Sequence, residues 1–333
     1  MKLSLVAPEG SAESLESLEG ATSVAAVAHR VVHGGAEFRE PTVIDAAVVE
    51  RLERLTELAP LHNAPALEAI VEAQRFLPDR PHIAVFDTAF HATIPEVAST
   101  YALPERIREG WGIRRFGFHG LSVEWAAECV RVERLVVCHL GGGCSVTAVR
   151  EGRSVDTTMG FTPLEGVPMA TRPGSVDPGA LLYLLRHGLT LDELDDALEH
   201  ESGLLGLAGS DRVEELEQRD DEAARLALEV FAYRIAGAVA AMTVPLGGLD
   251  ALVFTAGIGE NSELVRRLVC ERLAGLGEFD VLVIHAREDL VAARSARTLM
   301  GLSPQKMSPP SLSPGPGVGR KKTSSGSSPR AHE

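Results

Sequence analysis

An α/β protein of two lobes with a cleft between them is what this sequence predicts, on three observations. Short apolar runs rich in β-branched residues read as buried strands, capped helical segments separate them, and glycine-rich junctions fall where strands end. The runs are 82–87 (HIAVFD), 135–140 (LVVCHL), 251–255 (ALVFT) and 281–285 (VLVIH). Each is nearly all apolar, as expected of strands covered on both faces.

The helices carry their own punctuation. Asp177-Pro178-Gly179 supplies an N-cap and a proline at the first helical position, for a helix running to Gly188. Thr190 followed by Glu193 is a capping box, opening a helix that stops near Gly203. Between residues 221 and 243, Ala227, Phe231, Ile235 and Val239 recur at helical spacing, which marks a core stripe and not a cofactor contact set. From 303 to 333 the character changes: six prolines, eight serines and the cations Arg320, Lys321, Lys322 and Arg330. A segment that buries so little apolar area does not offset the entropy of ordering it, so disorder is expected there.

Composition narrows the function classes. The 333 residues suffice for two domains, and 45% hydrophobic with 24% charged residues is ordinary for a globular protein. A net charge of −15 argues against non-specific nucleic-acid binding, which needs clustered positive charge. No apolar run suggests a membrane span, and no basic segment leads into an apolar core at the N-terminus. Cys129, Cys138, Cys144 and Cys270 show no CxxC or metal-type spacing, which suits a reduced, cytoplasmic compartment without disulfides.

Three junctions carry chemistry. After the run ending at His139 and Leu140 come Gly141, Gly142, Gly143, Cys144 and Ser145, with a second alternating segment turned back at Glu151-Gly152-Arg153. Successive glycines let backbone N–H groups approach an anion; a tight hairpin requiring positive φ explains them equally. Thr255-Ala-Gly-Ile-Gly-Glu-Asn-Ser262 follows a strand and precedes a helix starting at Glu263, the setting of a nucleotide-binding turn. The aperiodic stretch 156–177 is long for a loop and too apolar for a disordered one, with Arg172 near its end. Upstream, Arg30 stands among His29, His33, Gly34 and Gly35, Asp87 ends a strand, and Arg114, Arg115 and His119 fall within one short segment. Such a cation-rich set suits phosphoryl transfer, in which charge on three equatorial oxygens must be neutralised.

The strings HRVVHGG, PLHNAPAL, VFDTAFHATIP, RRFGFHG, HLGGG, DTTMGFTPLEG, TRPGSVDPG and FTAGIGEN, in this order, resemble the signatures of the acetate kinase family over about residues 27–297. The resemblance implies an actin-like ATPase fold of two ribonuclease-H-like lobes, reversible transfer of the ATP γ-phosphoryl group to acetate, and a Mg²⁺ or Mn²⁺ ion. It implies that Arg30 and Arg172 hold the carboxylate and the phosphoryl group, that His119 stabilises the transition state, and that Asp87 is the essential acidic residue. His139, Leu140, Gly141, Gly142 and Gly143 would face the phosphates. Gly257, Ile258, Gly259, Glu260 and Asn261 would lie against adenosine, Asp211 and Arg212 would contact nucleotide, and Glu288 would be linked to the metal. Propionate or butyrate kinase is the alternative within the class, and a homodimer without nucleic-acid or membrane partners is implied.

The resemblance also locates departures. The family opens with a strand and a turn of the form N-x-G-S-S-S-x-K; here the opening MKLSLVAPEGSAESLESLEG has none, which implies an N-terminally truncated kinase without its first strands or, as a further alternative, an inactive nucleotide-binding relic. HLGNG reads HLGGG, and the connection 273–280 is short. The expected division is a remnant of the N-terminal lobe at 1–89, a nucleotide-binding lobe at 90–286, a returning helix at 287–302 and the tail at 303–333.

Overall fold

A computed structural model describes residues 24–58 and 60–302, together with the strands at 3–6, 12–15 and 313–314. The tail expected to be disordered lies, apart from 313–314, outside the described residues.

The described strands form two sheets. β1 (Leu3–Val6), β2 (Ala12–Leu15), β3 (Ala26–Val31), β4 (Thr42–Val43) and β5 (His82–Phe86) make the first, in the order β2-β1-β3-β5-β4. β6 (Arg134–Leu140), β7 (Cys144–Arg150), β8 (Arg153–Thr157), β9 (Ala251–Thr255), β10 (Asp280–Val283) and β11 (Ser313–Pro314) make the second, in the order β11-β10-β9-β6-β7-β8. β3 and β5 are parallel, as are β6, β9 and β10. The expectation that the first strands are absent is corrected: β1 pairs with β3, Leu3 opposite His29, and β2 pairs on its far side, so β3 is interior. The hairpin β7–β8 turns through Glu151 and Gly152, both at positive φ, as a two-residue turn matching strand twist requires.

Two helices, Gly120–Val130 and Glu288–Leu299, lie between the sheets. Their Leu121, Val123, Trp125, Val291, Ala292 and Ala296 share one core with Ala26, Ala28, Ile83 and Val85 of the first sheet and Leu135, Val137 and Val253 of the second. The opposite face of the first sheet (Val31, Ala84, Phe86) is covered by Val48, Leu52 and Ile70 from the helices Ala46–Arg54 and Pro60–Phe76. The outer face of the second is covered by the helices Glu222–Leu246 and Glu263–Arg272.

Local signals explain these helices. Asp177 caps Pro178–Arg186 by accepting the Gly179 N–H at 2.8 Å, and both halves of the Thr190–Glu193 capping box are formed at Leu191–His200. Ala227, Phe231, Ile235 and Val239 are fully buried, as their spacing requires. Contrary to the sequence expectation, Glu222–Leu246 is long and apolar enough to cross a bilayer; its buried stripe against β6 and β7 accounts for that composition.

Candidate active site

Side chains alternate across a strand, so each apolar column points to the residue two positions farther along the same face. Ala26 and Ala28 face the inter-sheet core, and the next residue on that face is Arg30. Ile83 and Val85 lead in the same way to Asp87, Leu135 and Val137 to His139, and Ala251 and Val253 to Thr255. The inner columns of both sheets thus change from apolar to polar at the carboxyl ends of the parallel strands, where α/β sheets collect ligands.

Arg30 and Asp87 form a bidentate pair. Nε donates to Oδ1 at 3.0 Å and Oδ2 at 3.1 Å, and Nη2 donates to Oδ2 at 2.7 Å. Nη1 of Arg30 stands 3.8 Å from Glu288 Oε1, at the first turn of the helix that returns to the first sheet. Burial pushes the Asp87 carboxyl above its usual range, against the pull of Arg30. Burial opposes the charge on Arg30, but Asp87 outweighs it and holds the guanidinium protonated. Asp87 is not a helix cap: the following 3₁₀ turn Ala89–Thr93 starts from Thr88.

The imidazoles of His119 and His139 stack at 4.0 Å between centroids. Nδ1 of His119 is 3.0 Å from Ser145 Oγ, and Nδ1 of His139 is 2.9 Å from Ser122 Oγ. Burial, then the neighbouring His139, Arg30 and Arg172, push the His119 pKa well below the ordinary histidine range; burial brings His139 to about 4. Both rings are neutral at pH 7. His119 is held at φ 59°, a left-handed conformation uncommon outside glycine, and the next N–H, of Gly120, bonds the Asp87 carbonyl at 2.9 Å. The histidine and the Arg30–Asp87 pair are thereby one rigid unit.

Arg172 ends the aperiodic stretch. Its Nε donates to Glu199 Oε2 at 2.9 Å, and its carbonyl accepts the Met169 N–H at 2.9 Å. Farther back, Arg115 Nη1 donates to the carbonyls of Thr157, Thr158 and Met159 at 2.9–3.1 Å, and its Nη2 to Glu165 Oε1 at 2.8 Å. The Tyr101 hydroxyl bonds Glu165 and accepts the Phe161 N–H at 3.0 Å. The stretch is therefore pinned at both ends.

Gly141, Gly142 and Gly143 join β6 to β7 without positive φ, so the hairpin itself does not demand glycine. A Cβ on Gly143 would stand 3.2 Å from His119 Nε2, and one on Gly142 would meet nothing within 4 Å. Close approach to His119 and open space above the turn are what these glycines provide. At the junction Thr255–Ser262 a one-turn helix, Ala256–Asn261, precedes the expected Glu263–Arg272. Ala256 has φ 66°; Glu260 Oε1 accepts its N–H at 2.9 Å and that of Ala286 at 2.8 Å, while Oε2 bonds His285. Gly257 faces open space, Ile258 packs on the core, Asn261 bonds back to the Gly257 carbonyl at 2.8 Å, and the buried Thr255 hydroxyl has no hydrogen-bond partner among the described residues.

Asp211 and Arg212 are exposed, Arg212 pairing locally with Glu215 at 3.2 Å; among the described contacts nothing joins either to the cleft. Sequence reading missed Ser122 and Glu199 and gave Ser145, named within its junction, no role of its own; these are generic residues whose roles arise from distant pairing. Two cavities of about 770 and 800 Å³ lie elsewhere, so volume does not single out this cleft.

No three His, Cys, Asp or Glu side chains among the described residues cluster as a metal cage. Magnesium is usually held by one or two carboxylates plus phosphate oxygens, and Glu288, whose carboxylate makes no short hydrogen bond among the described residues, suits that arrangement.

Arg30 held by Asp87, two stacked neutral histidines and glycine turns at facing strand ends define a two-lobed α/β cleft suited to handling phosphorylated anions. The chain belongs to the acetokinase family, whose model matches residues 11–300. It is 46% identical over 323 residues to an acetate kinase of Pseudarthrobacter chlorophenolicus, covering 92% of this chain and 82% of that one. Among solved structures it resembles a propionate kinase from Francisella tularensis (37% identity, TM-score 0.79, 82% and 79% of the two chains). It also resembles Porphyromonas gingivalis acetate kinase (32% identity, TM-score 0.78, 90% of each). The fold is the actin-like ATPase fold expected from the sequence.

Proposed function

We propose that this protein is an acetate kinase, transferring the γ-phosphoryl group of ATP to acetate to give acetyl phosphate and ADP, reversibly. The observation that carries the reading is the convergence of Arg30, Asp87, His119 and His139 at the strand ends of both sheets, with Arg172 close enough to act on the His119 ring. Family membership and the names of the relatives support it.

Acetate is ionised near neutral pH, so it attacks phosphorus without a general base. Catalysis then reduces to alignment and charge neutralisation. Arg30, aimed by Asp87, and Arg172, steadied by Glu199, hold the carboxylate and the transferring phosphoryl group. His119 is neutral; in this reading its 3.0 Å contact with Ser145 Oγ is one in which the hydroxyl donates to Nδ1, which leaves the N–H on Nε2 to hydrogen-bond a phosphoryl oxygen as charge spreads in the transition state. The backbone from His139 through Leu140 to Gly143 faces the phosphates, and the turn Gly257–Asn261 lies against the adenosine. Glu288, together with the nucleotide phosphates, would hold a magnesium ion, which would supply further charge neutralisation. In this reading the lobes divide near residues 89 and 286, and the four free cysteines suit the cytoplasm.

A homodimer is part of the proposal. The helix Pro178–Arg186, PGALLYLLR, has no buried residue, and Leu182, Tyr183 and Leu184 are 49%, 59% and 41% exposed. Such a patch suits a second copy.

The test is acyl phosphate formation from acetate and MgATP, trapped as hydroxamate, with propionate and butyrate in parallel. Turnover on acetate, abolished by Arg172→Ala, is expected; the likeness to a propionate kinase makes propionate the competing substrate. A folded protein that binds ATP but phosphorylates none of the three would overturn the proposal.

A further inference from the structure

A cavity of about 480 Å³ lies outside the cleft, between the segment after β3 and the segment that leads to His119. Arg39, Arg108 and Arg114 line it. Each spends its Nε on a backbone carbonyl: Arg39 on Ala36 at 3.1 Å, Arg108 on Leu103 at 3.1 Å, and Arg114 on Arg115 at 3.4 Å. The terminal Nη groups are thereby left over. Only Arg108 has a carboxylate within ion-pair distance among the described residues, Glu109 at 3.7 Å.

Arg39 and Arg114 share one small space without a carboxylate paired to either. Arg114 is half-buried, with its guanidinium 5.9 Å from the centre of the Phe116 ring. Burial first, then Arg39, disfavour its charge, and Glu96 only partly compensates. With Glu96 and Glu109 counted against the three arginines, the lining keeps an excess positive charge inside a protein of net charge −15. Two guanidiniums brought together repel one another unless an oxyanion lies between them, and a fork of Nη groups presents paired donors to such an anion. A polyanionic surface would meet the negative field of the whole molecule, whereas a small anion meets chiefly the local charge.

We propose that this cavity is a second anion site, separate from the Arg30–Arg172 cleft, that takes a small oxyanion carrying two negative charges. Arg39 lies between β3 and β4 of the first sheet, and Arg114 precedes Arg115 and Phe116, which bond the Thr157 and Gly160 carbonyls at and just past the end of β8, so a bound dianion bridges the two segments.

The test uses inorganic phosphate above pH 7.5, in equilibrium dialysis with labelled phosphate at constant ionic strength set by chloride. In the Arg172→Ala protein, which weakens phosphate binding in the cleft, saturable binding of a single phosphate per chain should persist. Adding Arg39→Glu should abolish it, and adding Arg114→Met in its place should weaken it about tenfold or more, as loss of a charge-assisted contact implies. Arg39 is exposed, so its replacement leaves the fold intact, as circular dichroism would verify. Phosphate binding lost entirely with Arg172→Ala alone, or unchanged by both cavity substitutions, would overturn the proposal. The readout is binding and not turnover, so it stands or falls independently of the kinase reading.

Discussion

Gly142 stands where the acetokinase pattern has asparagine, and the space above it is open. A Cβ there meets nothing within 4 Å and the backbone is not left-handed, so Gly142→Asn fits without strain. We expect unchanged thermal stability and tighter ATP binding by one hydrogen bond, about 0.5–1.5 kcal/mol, measured by calorimetric titration. An unchanged dissociation constant would show that backbone contacts suffice. Arg30 offers the converse case. Removing it leaves the Asp87 carboxylate buried without its bidentate partner, a loss of about 1–3 kcal/mol. Arg30→Ala should therefore lower the denaturation midpoint as well as turnover, whereas Arg30→Lys should recover stability more than activity, because an ammonium cannot reproduce the fork. Both residues were legible in the sequence as separate candidates. Their pairing was not, because it depends on the β3–β5 register across 57 residues, which no local pattern encodes.

At the scale of elements, strands and capped helices could be read because their signals are local. ALVFT at 251–255 is β9 in full, and the Thr190 capping box is formed as written. The aperiodic stretch before Arg172 was legible only as a loop with a purpose; what fixes it is non-local. Tyr101 and Arg115 converge on Glu165, and Gly160 lies beneath them so closely that a Cβ there would overlap Glu165 Oε2 and the Tyr101 hydroxyl. Gly160→Ala should therefore spread this clamp. The expected destabilisation is about 1–3 kcal/mol, with faster proteolysis within 158–177 and a fall in kcat, since Arg172 loses its fixed frame. Tyr101→Phe removes the hydroxyl without adding bulk and should cost about 1 kcal/mol. If Gly160→Ala unfolds and turns over like the parent, the clamp does not position the loop.

For the whole molecule, the exposed apolar helix Pro178–Arg186 and a set of buried histidines make two separate demands. Leu182→Glu should yield monomers in light scattering if a second copy covers that helix. The histidines bear on acid stability. Burial, the first cause in each case, lowers His29 to about 3 and His33, His91 and His139 to about 4. Hydrogen bonds fix the neutral form: His33 Nδ1 accepts the Gly35 N–H at 2.9 Å, and Nε2 faces the Phe161 carbonyl at 3.2 Å. A second proton on His33 would turn that acceptor into a donor facing a donor. Likewise His29 Nε2 lies 2.9 Å from His82 Nδ1, while its own Nδ1 is buried without a hydrogen-bond partner among the described residues. Each folded pKa is depressed below the unfolded value near 6.5, so the folded state refuses protons that the unfolded chain accepts. The resulting stability is fully present above about pH 6.5 and falls by about 1.4 kcal/mol per pH unit for each histidine until its folded pKa is reached. Four such groups, His29 on β3, His139 on β6 and His33 and His91 in the segments after β3 and β5, consume a typical stability of about 5–15 kcal/mol by about pH 4. The urea midpoint should therefore drop steeply from pH 6.5 downward, and His91→Gln should make that drop shallower by one proton's worth of slope. A midpoint that stays flat from pH 7 to 5 would mean that these rings are not held neutral, and the rigid neutral His119–His139 stack proposed for catalysis would lose its support with them.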